Sequence, residues 1–330
     1  MQKQMPGGNG HLNDDLKLNE IVYLGAHNCA MSKSYGWIYA QQNVTITEQF
    51  EKYGARHFKV PLHWYSNNND PEVHLYNIFE IVVAHESDGK SNCQLTLMQR
   101  ALKKPESAHS RLKEIVDLSF QYPDEIIILK IESKLLCNSQ KNGTEHFDPS
   151  LSSIILHSLL VDLKADQRAI ILKNDTEIPT LGWCRKNKQT LLITIEPKEQ
   201  RVGDLSKYTY YSYSISAQVD WEADPLKDVQ SGDVARGKVN KQTGEILSPF
   251  LEIHFCPQNS LKLDSSYRDK YNSYNHVRQR FLQYFFNCIK MPNFLVADFI
   301  DQGKLSNIVD DVNLIVNSNG IFLPELFEVL

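Results

Sequence analysis

The sequence predicts an α/β protein whose single parallel sheet closes into a barrel. Three observations lead to this prediction. Short apolar runs alternate with amphipathic helical stretches over most of the 330 residues, which is the rhythm of βαβ units. One run, residues 125–132, is apolar along most of its length, as strands buried on both faces are. The number of such units favours a closed barrel over an open, doubly wound sheet.

The predicted elements follow one another in a regular order. The apolar run 21–24 is the first strand, and a helix follows from Thr45 to Tyr53. Thr45 and Glu48 have the spacing of a capping box, and Gly54 is suited to the end of the helix. The further strands are predicted at 55–60, 125–132, 189–195, 251–255 and 294–299, and the further helices at 112–120, 151–163 and 276–289.

Two segments depart from this rhythm. Residues 1–17 are polar and Gly-rich, which predicts a flexible N-terminal tail before one barrel domain over residues 18–330. Residues 204–250 predict a long insertion that begins with a tyrosine cluster, including Tyr211 and Tyr213. Two interpretations stay open for these tyrosines. They stack on a ligand or a lipid surface, or they alternate with serines along a half-exposed strand.

Composition and charge exclude several classes of function. The net charge is −5, with 35 basic and 40 acidic residues, so nothing in the balance indicates a nucleic-acid partner. The sequence contains neither a GxGxxG nor a GxxxxGK[ST] loop, which argues against nucleotide binding. Six scattered cysteines without a CxxC pair fit a reduced compartment. Without a signal segment or an apolar run of membrane-spanning length, we expect a cytoplasmic protein; export by a route that needs no signal peptide, as bacterial effectors use, is compatible with this.

Two histidines follow apolar runs that are predicted to be buried strands. His27 follows the run 21–24, and His85 follows the run 81–84. Side chains at the carboxyl ends of barrel strands are where such scaffolds carry out chemistry. Two imidazoles that titrate near neutral pH can divide base and acid work between them. The sequence therefore predicts that the function depends on this pair.

Four sequence blocks, in order along the chain, resemble the X-domain region of phosphatidylinositol-specific phospholipase C. The resemblance covers roughly residues 18–135 and 180–318. The blocks are Gly25-Ala26-His27-Asn28, then Ile46-Thr47-Glu48-Gln49-Phe50 with Gly54-Ala55-Arg56-His57-Phe58, then Tyr122-Pro123-Asp124-Glu125-Ile126-Ile127-Ile128-Leu129, and Pro292-Asn293-Phe294-Leu295-Val296-Ala297-Asp298-Phe299. The resemblance implies a (β/α)₈ TIM-like barrel, distorted in places.

The same resemblance implies a phosphodiesterase that acts on a phosphoinositide or a related phospholipid. One histidine removes a proton from the inositol 2-hydroxyl, which attacks phosphorus to form a cyclic phosphate, and the other protonates the leaving oxygen. The two histidine motifs fall on His27 and His85, and an aspartate that orients a histidine falls on Asp298. The implied partner is a phospholipid or inositol-phosphate headgroup, with peripheral contact to a membrane.

The sequence departs from the family at its cation positions. Calcium-dependent members bind the metal through an asparagine after the first histidine, two acidic residues on the second strand and a glutamate at the end of the fourth. Asn28 and Glu132 match two of these positions, so they are the predicted metal ligands and substrate contacts, but Lys59 and Pro61 replace the acidic pair. An ammonium group does not suit calcium, which takes six to eight oxygen ligands. Calcium-independent members place arginine where Pro61 stands. The predicted cofactor is therefore either none or Ca²⁺.

Three interpretations of these departures stay open. In the first, Lys59 contacts the substrate and supplies the positive charge that stabilises the phosphorane, which makes it a catalytic residue. In the second, a metal is held by Asn28, Glu132 and either Glu86 or Asp88. In the third, the barrel no longer catalyses and binds a lipid or a protein. A phosphodiesterase acting on a glycerophosphodiester or a sphingolipid ranks behind these, because such families usually keep acidic metal ligands on the second strand. Tyr211 is a further predicted substrate contact.

Overall fold

The computed structural model describes most of the barrel. The described residues are 5–37, 40–64, 81–84, 107–135, 138–141, 144–147, 149–173, 177–219, 234–240, 242–243, 245–256 and 266–319. His85, Glu86 and Asp88 lie outside these residues.

Strands and helices alternate along the described chain. The strands are β1 (Tyr23–Ala26), β2 (Ala55–Trp64), β3 (Ile81–Val83), β4 (Ile127–Ser133), β5 (Asn138–Lys141), β6 (Thr144–Phe147), β7 (Leu191–Glu196), β8 (Tyr210–Tyr211), β9 (Ser216–Val219), β10 (Val234–Arg236), β11 (Phe250–Phe255) and β12 (Phe294–Ala297). The helices are α1 (Ile46–Glu51), α2 (Ala108–Gln121), α3 (Pro149–Asp162), α4 (Leu181–Lys186), α5 (Ser212–Ile215), α6 (Ser266–Lys270), α7 (Tyr274–Cys288) and α8 (Leu305–Asn319).

Eight parallel strands form a distorted (β/α)₈ TIM-like barrel, which confirms the predicted fold class. Their order is β9–β11–β12–β1–β2–β4–β7–β8, with β3 antiparallel to β2 and β10 antiparallel to β9. Within the described residues, β8 and β10 end the two sides of this path, so the sheet curls without closing. Strands β1, β11 and β12 are buried along their whole length, as strands covered on both faces are.

The start of α1 agrees with the capping box predicted from the sequence. The Thr45 hydroxyl accepts a hydrogen bond from the Glu48 amide, and the Glu48 carboxylate accepts one from the Thr45 amide, both at 3.2 Å. Gly54 follows the helix with φ +84°, a left-handed conformation that glycine adopts without strain. The chain then enters β2, which carries Lys59 toward the barrel interior.

The prediction of one long insertion at 204–250 is wrong for the first part of this segment. Its first part contributes β8 and β9, two of the eight barrel strands, and α5 joins them. Tyr211 lies in β8, whereas Tyr213 lies in α5. β8 has only two residues, and β9, with the sequence Ser-Ala-Gln-Val, lacks the continuous apolar run that predicted β1 and β12.

The N-terminal segment is packed against the barrel from residue 5 onward, in contrast to the flexible tail that its composition predicts. The Gly7 amide donates to the Asp310 carboxylate at 2.9 Å, and the Asn9 amide donates to the Glu125 carboxylate at 2.8 Å. The Asn9 side chain also exchanges two hydrogen bonds with the backbone of Ile126. Polar, Gly-rich composition shows that a segment can be flexible, but not that distant carboxylates hold it in place.

Among the described helices, none is both long enough and apolar enough to cross a membrane.

Candidate functional site

Five side chains form one row across the barrel; three follow the last residues of their strands, and the two lysines lie within β2 and β4. Ala26 pairs with Ala297 and with Phe58, and Ala297 pairs with Phe255, so the residues that follow these four lie at one level. Residues in register on parallel strands point to the same face. The row, called here the mouth row, consists of Cys256, Asp298, His27, Lys59 and Lys130, the last being the register partner of Lys59.

His27 and Asp298 are in direct contact within the mouth row. The His27 Nδ1 atom lies 2.7 Å from Asp298 Oδ1, and the two residues are only 5% and 1% exposed. A carboxylate at Nδ1 favours the tautomer that carries its proton there and stabilises the imidazolium when the ring gains a second proton. This leaves Nε2 as the nitrogen that can exchange a proton with a substrate.

The backbone around this pair is held by buried amide side chains. Gln42 donates to the carbonyls of His27 and Ala297, at 2.9 and 3.1 Å, and so links the ends of β1 and β12. Asn272 donates to the carbonyls of Asp298 and Phe299, at 2.8 and 2.9 Å. These hydrogen bonds fix the strand ends from which the imidazole and the carboxylate project.

Lys59 is next to His27 in the mouth row, on β2. Its Nζ atom lies 2.8 Å from a carboxylate oxygen of Glu132, and Lys134 approaches the other oxygen at 3.5 Å. Lys59 is 5% exposed. Lys59 and Glu132, both singled out in the sequence as separate candidates, therefore form a direct ion pair.

Asn28 follows His27 in a left-handed turn, with φ +45°. Its side-chain amide donates to the Gln41 side chain at 2.8 Å. The positions of Asn28 and Glu132 do not fit a calcium ion. Glu132 is paired with two ammonium groups, and one of them, Lys59, lies on β2 between the strands of Asn28 and Glu132, where calcium would need further oxygen ligands.

A buried charge network fills the barrel below Glu132. The Lys130 ammonium contacts both carboxylate oxygens of Glu252, at 2.9 and 3.0 Å, and one oxygen of Glu196 at 3.3 Å. Burial raises the pKa of Glu252, but Lys130 together with His254 and His57 outweighs this and holds that pKa well below its ordinary value. His254 lies beside Glu252, and burial lowers its pKa to about 4 in spite of that carboxylate.

The network continues outward to a pocket of about 690 Å³ at the rim. The Tyr213 hydroxyl donates to Glu196 at 2.7 Å and accepts from Arg236 at 2.6 Å. Tyr211 also lines this pocket, and its ring meets the Tyr213 ring edge-on at 5.4 Å between centroids. The pocket wall further includes basic side chains, namely Lys198, Arg201 and Lys238. Aromatic and cationic walls suit an anionic ligand.

Sequence reasoning did not single out Glu196, Glu252, Cys256 or Gln42. A signal was present for Glu252, because it alternates with apolar residues in β11 and so shares one face with His254. No local pattern indicates that this face meets Lys130, which is 122 residues away in the chain. Pairing across a barrel depends on strand order, which the sequence shows only indirectly.

Comparison with solved structures finds phosphatidylinositol-specific phospholipases C from bacteria. The protein from Listeria monocytogenes aligns with a TM-score of 0.53 at 15% identity, over 91% of this chain and 96% of its own length. A pentafluoro-Phe-containing form from Staphylococcus aureus aligns with a TM-score of 0.49 at 14% identity, over 92% and 97% of the two chains. No family model and no curated protein sequence matches this chain. The resemblance to this family is thereby confirmed for the fold.

Proposed function

We propose that this chain is a phosphodiesterase that cleaves a phosphoinositide or a related phospholipid by acid–base catalysis with two histidines. The observation that carries the proposal is the buried His27–Asp298 pair at the carboxyl ends of adjacent barrel strands. Its support from comparison is a fold shared with a protein named as a phosphatidylinositol-specific phospholipase C. The substrate and the residue roles are inferences from this chemistry.

His27 is the base in this mechanism. Nε2 removes the proton of the inositol 2-hydroxyl while Asp298, at 2.7 Å from Nδ1, stabilises the imidazolium that forms. The freed oxygen attacks phosphorus, and the bond from phosphorus to the lipid oxygen breaks. His85 gives a proton to that leaving oxygen, which completes the exchange and yields a cyclic phosphate and a diacylglycerol.

Lys59 supplies positive charge to the phosphoryl oxygens as they gain negative charge. It is the neighbour of His27 in the mouth row, so its ammonium and the imidazole face the same space. Glu132 and Asn28 contact the headgroup hydroxyls, and Tyr211 contacts the headgroup from the rim pocket. The headgroup reaches the barrel from a phospholipid surface that the protein touches peripherally.

The test is hydrolysis of phosphatidylinositol by the purified protein, first with a chelator and then with millimolar calcium. Turnover in the chelator supports Lys59 as the cation, whereas turnover only with calcium would assign the charge to a metal. His27→Asn and His85→Asn should each lower the rate by at least ~10²-fold. The control is His109→Asn, a histidine on α2 that pairs with Asp162 at the surface, and it should keep the full rate. Full activity of either active-site variant overturns the assignment.

A second candidate function is a lipid- or protein-binding barrel without catalysis. The observation that favours it is the 2.8 Å ion pair between Lys59 and Glu132, because this carboxylate neutralises the charge that a phosphorane requires. Binding to phosphatidylinositol vesicles without turnover in either buffer would support this candidate. If Lys59 contacts the bound headgroup in such a barrel, Lys59→Met should weaken vesicle binding in the same assay.

A further inference from the structure

We propose that Cys256, Asp298 and His27 form a binding site for Zn²⁺ at the mouth of the barrel, and that zinc bound there blocks His27. The site itself needs only the geometry of the described residues. Inhibition by the ion rests on the proposed function, since it requires His27 to act in catalysis.

The three side chains come from adjacent strands at one level. They follow β11, β12 and β1, whose last residues are in register as Phe255, Ala297 and Ala26. Neighbouring parallel strands are about 4.8 Å apart, and one ligand atom from each side chain lies within 4.8 Å of the other two. The barrel thus presents three donors as a compact triangle.

The donor types select a soft or borderline divalent cation. Imidazole, thiolate and carboxylate are all zinc ligands, and zinc sites with three protein ligands keep a fourth position for water or another oxygen. Zinc bond lengths place tetrahedral donors about 3.5 Å apart, so side-chain shifts on the order of 1 Å close the triangle. Calcium and magnesium take hard oxygen donors, and a thiol does not suit them.

A second observation points to a ligand at this place. Asp298 Oδ1 is bonded to His27, the Cys256 thiol is hydrogen-bonded to the same carboxylate, and the buried Oδ2 atom has no nitrogen or oxygen donor among the described residues. A buried carboxylate oxygen without such a donor costs free energy, and a cation at the triangle would satisfy it. Cys256 is 5% exposed and Asp298 is 1% exposed, so the ion would bind with little competition from solvent.

Charge and protons balance in the binding step. The Cys256 thiol releases its proton to solvent, and the thiolate sulfur forms a bond to zinc. Asp298 binds through a carboxylate oxygen, and the neutral His27 ring binds through one nitrogen while its proton stays on the other, so neither residue releases a proton. One Zn²⁺ then neutralises one thiolate and one carboxylate, and His27 has no lone pair left to accept a proton from a substrate.

The experiment measures metal binding separately from activity. Chelator-treated protein is titrated with Zn²⁺ by calorimetry and, in parallel, with Co²⁺ while a sulfur-to-cobalt charge-transfer band is recorded. We expect one strong zinc site per chain, and Cys256→Ser should weaken it by at least about 10-fold, the smaller effect known for changes around metal ligands. The matched control is Cys184→Ser, which replaces another buried cysteine, on α4, and should leave the affinity unchanged.

Each outcome decides the proposal. Zinc binding of equal strength in the Cys256→Ser variant, or no charge-transfer band in the wild type, overturns the site. If Cys256→Ser does not fold, His27→Gln takes its place in the same titrations. In the activity assay, micromolar zinc should inhibit, and chelator should restore the rate, whereas calcium should not inhibit. If the chain hydrolyses no phosphoinositide at all, the proposed function fails, but the calorimetric and cobalt results still decide the metal site.

Discussion

Replacing Lys130 with methionine should destabilise the barrel strongly. The Lys130 ammonium contacts both oxygens of Glu252 at 2.9 and 3.0 Å, Glu196 at 3.3 Å and the Gln218 side chain at 3.3 Å. Methionine fills a similar volume but leaves two carboxylates without their cation in the barrel interior. Removing one partner of a buried ion pair typically costs about 3–5 kcal/mol, so the free energy of unfolding should fall by about that amount at neutral pH.

The pH dependence of this loss has a definite sign. In the wild type, Lys130, with smaller contributions from His254 and His57, holds the pKa of Glu252 well below its ordinary value against the effect of burial. The network therefore contributes stability above the unfolded pKa and loses it as the pH falls. In the Lys130→Met variant, burial dominates and raises the pKa of Glu252. The variant can then bury a neutral carboxyl group, so its deficit should shrink between pH 7 and pH 5. A second change, Glu252→Gln, should recover part of the loss at neutral pH.

Urea unfolding followed by circular dichroism and tryptophan fluorescence measures these differences, provided that the two transitions coincide. The control is Lys113→Met, which removes a surface pair with Asp117 at 2.6 Å. Surface changes of this kind are usually within about 0.5 kcal/mol. If Lys130→Met behaves like the control, or if its deficit grows as the pH falls, the inference that this charge network supports the barrel is refuted.

Three further predictions follow from the site. Asp298→Asn should lower kcat on phosphatidylinositol by on the order of 10²–10⁴-fold with little change in KM, because Nδ1 loses its anionic partner; an unchanged kcat contradicts the role of the pair. Gln42→Ala should lower kcat and also the free energy of unfolding, by about 1–3 kcal/mol, because the His27 and Ala297 carbonyls lose a buried donor; steady-state kinetics and urea unfolding measure the two effects. Burial lowers the pKa of His57 to about 3 and that of His254 to about 4, so the unfolded chain takes up protons below pH 6.5 that the folded chain does not. The free energy of unfolding should therefore fall from pH 6.5 to pH 4, by on the order of 3 kcal/mol for His254 alone. In urea titrations, His254→Asn should make this pH dependence less steep. Greater stability at pH 5 than at pH 7 contradicts this prediction.

Local patterns predicted much of the fold because they act over a few residues. The capping box of Thr45 and Glu48 predicted the start of α1, and the apolar run that ends in β4 predicted a buried parallel strand. The resemblance to a family placed His27 and Asp298 in one site, and the structure brings them together at 2.7 Å. Their catalytic roles, and that of His85, stay predictions.

Features that join distant segments were not predictable in this way. The N-terminal segment looked flexible by composition, although Asn9 bonds to Glu125 and Ile126. The segment predicted as an insertion contains β8, which has only two residues, and β9, which lacks a continuous apolar run. Both differences arise because a local pattern does not show which partner a segment meets.

By itself, the sequence determined the alternation of strands and helices and the barrel class. It also determined which residues at strand ends have side chains able to carry out chemistry. These follow from hydrophobic period, capping and turn residues, which act locally. Only the tertiary structure decided that Lys59 pairs with Glu132, that Lys130 pairs with Glu252 and Glu196, and that Cys256 completes a triangle with His27 and Asp298. Strand order and register decide such contacts, because a shift of one residue turns every side chain of a strand to the opposite face.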